Sequence, residues 1–132
     1  MNPGDVPEHP EDMNGSAAGA LGLALAVALG AFGAHGLKDR LDAYAMGIWE
    51  KAVFYHFVHA LGLLIVTALA RAGALTPGGS ARVSILLAAG IVLFSGSLYA
   101  LALTGVRGLG AVTPFGGVAF IAAWLLLAWE LK

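Results

Sequence analysis

The sequence predicts an all-α integral membrane protein, a four-transmembrane-helix bundle with a short amphipathic interfacial helix after span one. Three observations carry that prediction. Hydrophobic residues make up 59% of the 132-residue chain and charged ones only 11%. An average soluble domain is about a quarter charged, so this chain cannot cover a water-facing surface. Its apolar residues are gathered into four uncharged runs, each long enough at about 1.5 Å per residue to cross roughly 30 Å of hydrocarbon. A soluble bundle would need a polar outer face, and none of these runs has one.

Met1 to Gly15 holds Asp5, Glu8, Glu11 and Asp12, with Pro3, Pro7 and Pro10 and no lysine or arginine. Residues 1–15 therefore read as a disordered acidic tail on the water side, with His9 solvated. Residues 16–132 form the membrane domain. A signal peptide wants a basic start, so the run after the tail is expected to be a permanent span.

Span one, about Ser16 to Ala34, has a small residue at every fourth place: Ala18, Gly22, Ala26, Gly30 and Ala34. Residues four apart lie nearly above one another on a helix. Small-xxx-small spacing lets helices approach closely in lipid. Span one is thus expected to be the rod its neighbours pack on. Beyond Gly33-Ala34-His35-Gly36, the residues Leu37, Leu41, Tyr44 and Ile48 share one helical face. Lys38, Asp39, Arg40 and Asp42 fall mostly elsewhere, which predicts the interfacial helix with Trp49 at its end.

Span two, about 52–70, carries His56 and His59 on one side. Thr76-Pro77-Gly78-Gly79 is a turn signal. Span three, about 83–104, strings Ser84, Ala88, Ile91, Ser95, Tyr99 and Ala102 along one stripe, with Gly90 and Gly96 open to neighbours. Span four, about 109–129, contains Thr113-Pro114-Phe115-Gly116-Gly117 near its start. Proline is tolerated there because its missing N–H would be unpaired anyway. Gly116 and Gly117 are assigned to close packing. Both termini share one side with Arg71, Arg82 and Lys132. The other side has Lys38, Arg40, Lys51 and Arg107, a split too even to fix orientation.

The formal net charge of −1 offers no footprint for nucleic acid. With no cysteine there is no disulfide, no thiolate nucleophile and no cysteine-held metal. No phosphate loop, nucleophile elbow or paired carboxylates appear. No catalytic residue, cofactor or metal ligand is therefore assigned, and an enzyme ranks last among the function classes. The candidate intramembrane polar site is His35, His56 and His59 with Ser95 and Tyr99. Ionisable groups inside a span are costly and by default functional. Three uses stay open: hydrogen bonds between helices, proton or solute handling, and metal or haem ligation. The expected partners are the lipid bilayer and either further copies of the chain or a larger membrane complex.

Four motifs together resemble the domain of unknown function 423 family of small bacterial membrane proteins, whose mitochondrial relatives include transmembrane protein 256. They are Gly30-Ala31-Phe32-Gly33-Ala34-His35-Gly36-Leu37, Tyr55-His56-Phe57-Val58-His59-Ala60-Leu61, Leu93-Phe94-Ser95-Gly96-Ser97-Leu98-Tyr99 and Thr113-Pro114-Phe115-Gly116-Gly117. The resemblance implies four spans in the bacterial inner membrane and carries no established activity. The acidic tail departs from the family pattern, in which the first span starts close to the initiator methionine.

Overall fold

The computed structural model describes Gly4 and residues 10–132. Helices α1 (Pro10–His35), α2 (Ala43–Arg71), α3 (Pro77–Gly90), α4 (Ser97–Thr104) and α5 (Thr113–Glu130) follow in order. A π-helical stretch, Ile91–Gly96, joins α3 to α4, and a 3₁₀ turn, Arg107–Ala111, leads into α5. Among the described residues, four continuous rods are long and apolar enough to cross a membrane: Gly15–His35, Ala43–Arg71, Pro77–Thr104 and Arg107–Glu130. The chain is an all-α membrane protein with four spans. Of the expected tail, Pro10 to Gly15 are helical and continue α1. The remainder, Gly4 apart, lies outside the described residues.

The interfacial helix expected after span one does not form as a separate element. Gly36 to Asp42 is a turn, closed by Leu41 N–H donating to the Leu37 carbonyl at 3.0 Å. Asp42 then caps α2, its side chain accepting the Ala45 N–H at 2.7 Å. A good N-cap starts a helix wherever it stands, so Ala43 to Trp49 become the first turns of span two. The predicted apolar face splits accordingly: Leu37 is buried and Tyr44 is exposed. Span three likewise starts early. Thr76 accepts the Gly79 N–H at 3.0 Å and Pro77 takes the first turn, so the motif read as a turn is a helix start. Pro114 sits in the first turn of α5, where it introduces no kink.

The hub is α2. It packs against α1, α3, the π stretch and α4, whereas α1 packs substantially on α2 alone. The expectation that span one organises the bundle is therefore corrected. The reason is geometric. A step of four residues overshoots a 3.6-residue turn by about 40°, so a strict four-residue stripe winds around the helix. Its middle, Gly22, Ala26 and Gly30, meets α2, while its ends, Ala18 and Ala34, are exposed. The seam in contact runs through Gly15, Gly19, Gly22, Ala26, Gly30 and Gly33 instead.

The main core lies among α2, α3 and α5 and contains Leu63, Val66, Val83, Leu87, Phe120, Ala123 and Leu127. At the termini side, Arg82 and Glu130 pair at 2.9 Å, fastening α3 to α5. Helix ends are closed by Gly73 and Gly105, both at positive φ. Only glycine adopts that conformation without a Cβ clash.

Candidate functional site

Halfway along the bundle, α2 carries His56 and His59, both buried. Three residues apart on a helix means about 60° around it, and that small angle separates their surroundings. The Nδ1 of His56 is 2.9 Å from the Tyr99 hydroxyl on α4. Either group can be the donor in that bond, depending on which imidazole nitrogen carries the proton.

His59 points towards α5. Its Nδ1 lies 2.7 Å from the Tyr55 carbonyl, and its Nε2 is 3.1 Å from the Trp124 indole nitrogen. The first contact requires Nδ1–H to donate. The second requires Nε2 to accept, since an indole N–H can only donate. One neutral tautomer satisfies both. Phe120 stacks on the same ring, centroids 3.5 Å apart at 12°, and Tyr55, Phe94 and Trp124 complete an aromatic layer.

Ser95 is fully buried, but its hydroxyl donates to the Ala52 carbonyl at 2.8 Å and to no histidine. Tyr99, on the same stripe as Ser95, is the residue that reaches His56. His35 does not join them. It ends α1 and is exposed, while the level of His56 on α1 falls between Gly22 and Gly30. Among the described residues, no three His, Asp or Glu side chains gather as a metal set. The five candidate residues thus divide into a His56–Tyr99 pair, a Ser95 clasp, a His59 cluster and an outlying His35.

The packing residues divide in the same way. A Cβ on Gly116 would fall 2.7 Å from the Phe94 Cα, and one on Gly90 would strike the Phe120 ring. Both glycines are close-approach sites. A Cβ on Gly117 would meet the Phe94 ring at an ordinary 3.9 Å. Gly96 is exposed, and a Cβ there would approach the Ile91 carbonyl oxygen no closer than 4.0 Å. Gly96 lies in the π stretch itself, whose wider turn departs from the register of a regular helix.

Four polar contacts escaped sequence reasoning. Trp49 donates to the Leu29 carbonyl at 3.0 Å, in space left by Gly33, where a Cβ would lie 2.5 Å from the indole nitrogen. Trp124 donates to His59. Ser97 donates to the Phe94 carbonyl at 2.9 Å and meets the Thr113 hydroxyl at 2.6 Å. The tryptophan signal was readable. Tryptophan favours the membrane boundary, so Trp124, deep in span four, had to find an acceptor.

Comparison with known proteins adds a family. The profile described as "Protein of unknown function (DUF423)" matches residues 29–117. A UPF0382 membrane protein of Staphylococcus epidermidis is 52% identical over 114 residues, covering 83% of this chain and 87% of that protein. The UPF0382 membrane protein YwdK of Bacillus subtilis is 49% identical over 113 residues, covering 83% and 88%. No solved structure matches. The chain belongs to the DUF423 family, as its four motifs suggested.

Proposed function

We propose that this is a non-enzymatic protein of the bacterial inner membrane, an accessory or scaffold unit that works by packing against itself or a larger complex. The family profile and its relatives name no activity, and the relatives are named as membrane proteins. One observation carries the reading: both nitrogens of the His59 ring are engaged, one by a carbonyl and one by an indole. A proton or a metal ion on Nε2 would have to displace Trp124. Such bonds between helices contribute about 0.6 kcal/mol on average and up to roughly 2 kcal/mol in lipid. Imidazoles placed this way act as fasteners.

A second reading, a small oligomeric transporter or proton handler, is favoured by the π stretch beside Tyr99, since π turns gather at functional sites. Purified His56→Asn and His59→Asn proteins separate the two. Fasteners predict lower melting temperatures in detergent and unchanged proteoliposome permeability. Proton or solute flux lost at unchanged melting temperature would overturn the packing role and favour transport.

A further inference from the structure

At the end of the bundle away from the termini, the start of α2 and the end of α4 leave an open cleft of about 610 Å³. Asp42, Tyr44 and Ile48 stand on the α2 wall, and Leu101, Ala102 and Arg107 on the other. We propose that this cleft binds a zwitterionic phospholipid with a primary ammonium headgroup. Its phosphate sits on Arg107, its ammonium on Asp42, and an acyl chain lies over Ile48, Leu101 and Ala102.

Position and charge support the assignment independently. With 29 residues, α2 is roughly 43 Å long, more than the roughly 30 Å of hydrocarbon. Its first turns therefore stand among headgroups, where the exposed ring of Tyr44 is at home. Ile48, Leu101 and Ala102 supply apolar lining, and Ala102 is buried there. Asp42 and Arg107 are exposed on opposite walls, and among the described residues the one ion pair joins Arg82 to Glu130 instead.

Two unlike charges facing one space suit a ligand that carries both. The guanidinium fork matches phosphate oxygens. Asp42 spends one carboxylate oxygen on the Ala45 N–H and keeps the other for a donor. A choline headgroup has no N–H to offer it. A purely anionic lipid would bring negative charge towards it.

The test compares wild type, Arg107→Gln and Asp42→Asn in mild detergent with added phosphatidylethanolamine, phosphatidylglycerol or phosphatidylcholine. Native mass spectrometry counts the lipid retained. Asparagine still caps a helix, so Asp42→Asn removes the charge and keeps α2. Wild type is expected to favour phosphatidylethanolamine about tenfold, the scale of one charge-assisted contact. Arg107→Gln should lose retention of phosphatidylethanolamine. Asp42→Asn should lose the preference and hold phosphatidylglycerol at least as well.

Equal melting temperatures without lipid certify the fold. If Asp42→Asn melts early, Asp42→Ser, another capping residue, replaces it. Equal retention of all three lipids by wild type, or an unaltered preference in both variants, overturns the proposal. So does competition by soluble glycerophosphoethanolamine as effective as that of the lipid, which would assign the cleft to a free headgroup.

Discussion

Towards α1, helix α2 presents Thr67, Leu64, Ala60, Val53 and Trp49 to a run of glycines and alanines. Towards α3 and α5 it presents Leu63, Val66 and His59 to Leu87, Phe120, Trp124 and Leu127. On the first side almost nothing large interlocks. Contact comes from backbones drawn close, with a single indole–carbonyl bond at Leu29. On the second side stacked rings and two glycine notches fit one another, so no part yields alone. Lipid tails are as apolar as leucine, and helices there gain by fit rather than by leaving water. A smooth seam and an interlocked one can therefore coexist in one bundle, and they should fail differently.

The sharpest way to break that contrast is a methyl group at each kind of glycine. Gly116→Ala would push a Cβ into the backbone of Phe94, and α5 is pinned by Phe120 and Trp124. A loss of about 2–3 kcal/mol is expected in reversible detergent unfolding, within the range for overpacked cores. Gly22→Ala should cost less, about 0.5–1 kcal/mol. Its Cβ would meet only the Ala60 Cβ at 3.1 Å, and α1 can ease outward into lipid. Equal losses at the two positions would show that the interfaces are alike after all.

Between those extremes stand the two indoles. Trp124→Phe strands the acceptor nitrogen of His59, and Trp49→Phe frees the Leu29 carbonyl. Each should cost about 1 kcal/mol. Hydrogen exchange should separate them. Trp49→Phe speeds exchange in α1 alone, whereas Trp124→Phe speeds it across α2, α3 and α5. The smallest effect is reserved for His35→Ala. An exposed side chain at a helix end should change stability by less than about 0.5 kcal/mol, and a larger drop would mean that His35 belongs with the other two histidines.

Much of this architecture could be read from residue order, because lipid as solvent leaves few options. A long charge-free run must satisfy its backbone internally, which makes it a helix and fixes the number of spans. Residue order placed His56 on one side of span two and Tyr99 on one stripe of span three, and the 2.9 Å contact between them came from the packing. The seam of α1 was misplaced at its ends because a four-residue repeat drifts around a 3.6-residue helix. The hub was misassigned because small residues announce that a close approach occurs and are silent about how many neighbours share it.

By itself, then, the order of residues determined four apolar rods, their short connections and the fact that imidazoles would lie among them. Hydrocarbon permits no other treatment of those runs. Tertiary structure decided which rod stands at the centre, that a π turn breaks the third span's register, and that His56 and His59 serve different neighbours. Those outcomes turn on a rotation of tens of degrees and on gaps the size of one methyl group. Only the packed arrangement of all four helices sets such quantities.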